Sequence, residues 1–323
     1  MPVYDSNGND LYDIVYDADG NNLAQVYDAD GNPLITSGYT LVSHDDDSTG
    51  TDSGYSLTSK ENGKTYVLRL MVNMLGDGSY QSMVYDRDNG LYYKFDASTT
   101  VKVYDSSMTK INTITMPSSA GHTNDGAYYN GNIYFPNHDA SIINVWNVAG
   151  NTVSTIPITG ISQPANGSTR NVDAICEVLP NSGKFYLVCR DVYTDDLTHQ
   201  SDDKLSIYEY TLSTGRAVLL AELSWDCVYC QGSTCYDHIL YVTCNTQTTG
   251  SASNYTGITV KVIRTDTWSL IDELTVSGVF EPEGLDIIPV NDGHEIMMGM
   301  GRYQRMEQTV RFTIPYTLLP VES

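Results

Sequence analysis

Basic residues are scarce in this chain of 323 residues: 17 Lys and Arg stand against 40 Asp and Glu, a formal net charge of −23. A surface this acidic repels phosphate backbones and anionic lipid, so nucleic acid and anionic membranes are excluded as partners. Long apolar runs are also missing, and nothing approaches the roughly 18 consecutive apolar residues that a spanning helix needs. The start, Met1-Pro2-Val3-Tyr4-Asp5, has neither a basic n-region nor an apolar h-region, so no secretory signal is expected. There is no GxSxG elbow, P-loop, HExxH or GxGxxG, which leaves serine-hydrolase chemistry and nucleotide cofactors without support.

Glutamate is sparse as well, with 10 Glu against 30 Asp. Glu suits helix interiors, whereas Asp suits turns and caps. Gly (26) and Asn (22) point the same way, and 25 of the 33 aromatics are Tyr, a β-favouring residue with a polar tip. With 41% hydrophobic residues the chain can build a sizeable core. Composition therefore predicts a turn-rich, all-β protein rather than a helical bundle.

The six cysteines are too few for a disulfide scaffold. Cys227, Cys230, Cys235 and Cys244 invite a zinc reading, but the second pair lacks the tight knuckle of structural zinc. Cys176 and Cys235 follow equivalent positions of a long repeat, and Cys189 and Cys244 sit in the apolar strands that come next. They read best as small buried packing residues, with zinc or a local disulfide as alternatives.

Two kinds of repeat organise the chain. The first is short: Tyr4-Asp5-Ser6-Asn7-Gly8, Tyr16-Asp17-Ala18-Asp19-Gly20-Asn21 and Tyr27-Asp28-Ala29-Asp30-Gly31-Asn32. Asn-Gly and Asp-Gly between apolar residues mark hairpin turns, so residues 1–36 read as an arm of small β-hairpins. Units this small cannot fold alone and must pack on the main domain, on copies of themselves or on a partner. Their Asp spacing is not that of an EF-hand loop, and turn chemistry explains it. Residues 37–64 are polar, with Asp45-Asp46-Asp47 at their centre, and read as a solvated linker or loop.

The second repeat is longer and covers residues 65–323. Four short strands recur in fixed order from Met83, Asp125, Asp173, Gly232 and Gly284, positions 42 to 59 residues apart. That spacing brackets a propeller blade of four antiparallel strands. The second strand of each cycle is the most continuously apolar, as a strand buried on both faces must be. The fifth cycle lacks a fourth strand, which Thr65–Met71 is placed to supply. The expected fold is a five-bladed β-propeller, with a six-bladed form using residues 38–80 as the alternative.

Loops leading into the innermost strands carry the most chemistry, and register places His122, Asn124, Asp125, Arg170, Asp173, Gln231, Glu281 and Glu283 near one axial patch. Polar groups converging from several loops are what a ligand site looks like. Hydrogen bonds between neighbouring blades across a wet channel account for any single one of them equally well.

The N-terminal units resemble the YD-type repeats of bacterial surface proteins and of tail proteins of gut bacteriophages. The GHxND, QG and EPEG stretches at Gly121–Asp125, Gln231–Gly232 and Glu281–Gly284 resemble YncE-like and lactonase-like propellers. Together these resemblances imply a virion- or tail-associated binding protein. The arm would dock on other tail proteins or on copies of itself, and the propeller would recognise a bacterial surface glycan or a partner protein. Two alternatives stand beside this. One is a glycan hydrolase with axial carboxylates drawn from Asp125, Asp173 and Glu283. The other is a lactonase-like site with calcium or another divalent metal on His122, Asp173 and Glu283.

Overall fold

The computed structural model describes residues 39–73, 80–96, 99–120, 125–136, 141–164, 168–192, 204–224, 229–247, 255–278, 281–291, 293–301 and 308–320. The repeat arm, His122 and Asn124 lie outside the described residues. Two compact units divide the chain: Met1–Val42 with Leu318–Ser323, and Ser43–Thr317. Strands β1 (Tyr39–Ser43) and β23 (Tyr316–Pro320) pair as a two-stranded sheet.

The larger unit is all-β and built from four-stranded antiparallel sets, as composition and spacing predict. The first set is β4 (Tyr80–Asp86), β5 (Leu91–Asp96), β6 (Thr100–Tyr104) and β7 (Lys110–Thr115). The second is β8 (Ala127–Tyr129), β9 (Asn132–Pro136), β10 (Ile142–Asn147) and β11 (Thr152–Pro157). The third runs through β12 (Thr169–Glu177), β13 (Lys184–Val192), β14 (Lys204–Thr211) and β15 (Arg216–Ser224).

A nine-stranded sheet holds the rest. It runs from β16 (Tyr229–Tyr236), β17 (Ile239–Gln247), β18 (Tyr255–Arg264) and β19 (Ser269–Ser277) to β2 (Asp52–Ser59) and β3 (Thr65–Asn73), and ends at β22 (Gln308–Thr313), β21 (Gly293–Gly301) and β20 (Glu281–Val290). Its far half is the fifth set, and β3 supplies the missing fourth strand, with Val310 opposite Leu70 and Arg311 opposite Arg69.

Tight turns follow the Asn and Gly signals. Asn130 (φ 48°) and Gly131 (φ 74°) join β8 to β9 with positive φ at both positions, the conformation a two-residue hairpin needs. Apolar side chains then fill the gaps between successive sets. Tyr93 and Phe95 of β5 pack on Ile133, Phe135 and Trp146 of the second set, while Tyr92, next along the strand, packs with Ile288 and Met297 of the fifth. Alternation thus buries β5 on both faces, which is why it reads as a continuous apolar run.

First strands touch in a closed cycle: β4 meets β8, β8 meets β12, β12 meets β16, β16 meets β20, and β20 returns to β4. The larger unit is therefore propeller-like.

Two expectations need correcting. Residues 37–64 are not simply a linker, because β2 pairs with both β3 and β19. Nor is the acid run merely solvated. Asp46 accepts from Val67 N at 3.0 Å, and Thr313 Oγ1 donates to Asp47 at 2.8 Å. A polar segment can add to a sheet edge through backbone bonds and acceptor side chains, without the apolar alternation that announces a core strand. The cysteines are mostly the packing residues expected: Cys176, Cys189 and Cys230 are free and buried, and Cys235 is free and partly exposed. Cys244 departs from that reading, being disulfide-bonded.

Candidate functional site

The first strands share one irregularity. Register breaks between Tyr80 and Ser82, between Val172 and Ala174, between Cys230 and Gly232, and between Pro282 and Leu285. The extra residues are Gln81, Asp173, Gln231, and Glu283 with Gly284. A bulge residue lacks a ladder partner, and its side chain is re-aimed. Each bulge opens with a polar residue followed by a small one: Gln81-Ser82, Asp173-Ala174, Gln231-Gly232 and Glu283-Gly284. Asp125-Gly126 occupies the same place ahead of β8.

The small residues are required by crowding. A Cβ on Gly232 would lie 2.6 Å from the backbone carbon of Gly284. A Cβ on Gly284, whose φ is +75°, would lie 2.9 Å from Cβ of Ser82. Backbones of three sets therefore meet here, and the preceding polar residues are gathered at one end of the cycle of first strands. Asp173, Gln231 and Glu283, read from the sequence as part of one axial patch, fall at the bulges together with Gln81, and Asp125 stands at the matching place ahead of β8.

Asp125 has a specific job in this layer. Its Oδ2 accepts from Ile175 N at 2.9 Å, Ser233 N at 3.0 Å and Ser233 Oγ at 3.2 Å. One carboxylate thus ties the second set to the third and fourth. Burial pushes its pKa well above the usual carboxylate range, against the pull of these hydrogen bonds. With Oδ2 taken up by backbone and hydroxyl donors, Asp125 is built as a latch.

Asp173 is also engaged. Arg190 Nε donates to its Oδ2 at 3.0 Å, and both groups are buried. Arg170 is elsewhere. It grips Asp191 with Nε at 2.7 Å and Nη2 at 3.0 Å, and its Nη1 donates to Tyr208 Oη at 2.7 Å. In the β12–β13 ladder Arg170 opposes Asp191 while Asn171 opposes Arg190. Opposed residues share a face and neighbours alternate, so Arg170 and Asp173 lie on opposite faces of their sheet. Asp173 sits at the register break, where parity along the strand fails, so its face is set by its bond to Arg190 and was not legible from spacing.

Gln231, Glu281 and Glu283 form the other half of the site. Gln231 Nε2 donates to Glu281 Oε1 at 3.1 Å. Gln231 Oε1 is buried and has no hydrogen-bond partner. Glu283 is buried beside the last residue of β21: a Cβ on Gly301 would lie 3.4 Å from its Oε1. Among the described residues, no group of three or more His, Cys, Asp or Glu is placed to hold a metal.

Sequence reading missed a second cluster at the far ends of the first strands. Arg87, just beyond β4, donates through Nη2 to Tyr128 O at 2.6 Å and to Glu177 Oε2, with its guanidinium carbon 5.8 Å from the Tyr128 ring centroid. Asp286 accepts from Tyr85 N at 2.7 Å. Burial pushes Glu177 and Asp286 each up to about 7, while Arg87 pulls both down. Glu177 closes β12 and Asp286 lies inside β20, each next to an apolar run, so no motif singled them out.

No helix among the described residues is long and apolar enough to cross a membrane. No family model matches the chain, and no curated protein does either. Solved structures match it loosely. Hydrazine synthase of Kuenenia stuttgartiensis shows 11% identity and a TM-score of 0.39, covering 76% of this chain and 67% of that one. A luciferin-regenerating enzyme shows 12% identity and a TM-score of 0.42, with 75% of each chain covered. A chain of a nidogen/laminin complex shows 12% identity and a TM-score of 0.43, covering 84% of this chain and all of that one (100%).

Proposed function

We propose that the chain is a five-bladed β-propeller that binds a bacterial surface glycan at the bulged ends of its first strands, in a virion- or tail-associated protein. The blade count is supported by five first strands touching in one closed cycle, and by β2 and β3 being absorbed into the nine-stranded sheet rather than a sixth set. The observation that carries binding is the convergence of bulge residues at one end, with the amide oxygen of Gln231 buried there without a partner. A hydroxylated ligand supplies the donors such a site calls for. Tail association rests on the YD-type resemblance of residues 1–36, which would dock the propeller on other tail proteins or on copies of itself.

Binding is favoured over hydrolysis by the state of the acids. Asp125 is occupied by backbone donors and Asp173 by Arg190, so neither stands as a carboxyl group poised beside a scissile bond. Incubating the protein with cell-wall glycans separates the two readings. Retention on the glycan without release of reducing ends is expected; sustained turnover that disappears in Asp173→Asn would show an enzyme instead. Deleting residues 1–35 is expected to leave a folded propeller that no longer assembles, and a truncated chain that fails to fold would show that the arm belongs to the core.

A further inference from the structure

We propose that the bulged end takes a ligand bearing a primary ammonium on a hydroxylated scaffold, an amino sugar, held by Gln231, Glu281 and Glu283. The inference rests on the binding reading above and names its ligand class. Glu281 and Glu283 leave the same strand, β20, two positions apart, where it bulges. Glu283 lies beside Gly301, the residue paired with Glu281, and Gln231 comes from β16, with its Nε2 on Glu281 Oε1 at 3.1 Å. That contact fixes the amide, since a carboxylate accepts and would repel the amide oxygen. Gln231 is only 7% exposed, and its Oε1 is the atom left buried without a partner.

An unmet buried acceptor is destabilising, so a group that fills the site must donate to it. Beside two carboxylates the favoured donor is a cation. An ammonium offers three donors, enough for one amide oxygen and two carboxylates, whereas a hydroxyl offers one. Each carboxylate has about four lone-pair sites, so it accepts from a ligand while keeping its contacts within the protein. Hydrogen bonds between charged partners are also the stronger ones. The net charge of −23 adds a long-range field that draws cations towards the surface.

Isothermal titration of the full chain with three probes tests this: the glucosamine trisaccharide, its fully N-acetylated form, and cellotriose, at about pH 6, where the amines are charged. The amine probe is expected to bind about tenfold tighter than either neutral probe. Gln231→Met, which keeps the side-chain length and removes both polar atoms, is expected to abolish that preference. Glu281→Gln, at a partly exposed position, is expected to do the same. Equal affinity for all three probes overturns the ammonium assignment and leaves glycan binding standing, as does failure of all three while whole cell-wall glycan is still retained. If cell-wall glycan is not retained either, the binding reading falls with it. A preference that survives both substitutions overturns the placement at Gln231 and Glu281.

Discussion

Replacing Asp125 separates a latch from a reactive acid. Asp125→Ala strips the acceptor from Ile175 N, Ser233 N and Ser233 Oγ, all within 3.2 Å of one oxygen. Each buried donor left unmet costs about 1–3 kcal/mol. Removing a carboxyl whose pKa burial has raised returns part of that, so the net loss should be about 2–4 kcal/mol. A domain typically holds about 5–15 kcal/mol in all, so this is a large share. Asp125→Asn keeps an acceptor oxygen in place and should stay within about 1 kcal/mol of the parent.

The pH dependence has a definite sign. A carboxyl whose folded pKa is raised binds its proton more tightly when folded. Its penalty is present above the folded pKa and is relieved as pH falls towards the ordinary value of 3.8. The parent should therefore gain stability on mild acidification, and Asp125→Asn should lack that part of the gain. Urea titrations followed by tryptophan fluorescence, with m-values compared, read both effects. If Asp125→Ala shifts stability by less than about 0.5 kcal/mol, or if Asn is as damaging as Ala, the carboxylate is not the latch described.

Two further perturbations probe this layer and the far ends of the first strands. Gly232→Ala places a Cβ 2.6 Å from backbone of Gly284, which has no flexible side chain to yield; a loss of about 3 kcal/mol or more, or failure to accumulate folded protein, is expected from denaturant melts. Glu177, pushed up to about 7 by burial from an ordinary 4.5, should make the fold about 3 kcal/mol more stable as pH falls from 7 towards 4.5, while its pairing with Arg87 is lost over the same range. Glu177→Gln should flatten that slope in part, leaving the contribution of Asp286; an unchanged slope would show that Glu177 is not buried as a charge.

The strands were legible because their signals are local. Apolar runs, Asn-Gly turns and a recurring order of four segments need only neighbouring residues, and the spare strand at Thr65 was visible as an unpaired apolar run. Contacts made across the molecule were not. Asp125 meets Ser233 at a separation of 108 residues, and no periodicity encodes which set a carboxylate will reach. Arg190 sits in β13, between Cys189 and Asp191, where an apolar run hides a paired cation. Strand β2 was misread because its hold on the sheet comes from backbone bonds, which carry no composition signal.

The bulges explain why polar chemistry and ring closure fall on consecutive residues. Where first strands crowd together, the second residue of each dyad must be small, as Gly232 and Gly284 show by the clash a Cβ would cause. The residue before it, freed from the ladder by the bulge, has no pairing to maintain, so its identity is set by what its side chain does. In the second set Asp125, just ahead of β8, holds three sets together, and in the third the bulge residue Asp173 binds Arg190. In the fourth, Gln231 keeps an oxygen in reserve. Substitutions at the small positions should therefore register as lost stability. Gln231→Met should register as lost binding with a stability loss of no more than about 1 kcal/mol, because the acceptor it removes is met by no donor in the protein and the donor it removes serves only the partly exposed Glu281. A large loss of stability in Gln231→Met would assign its amide to the scaffold and remove the central support for a ligand at this end.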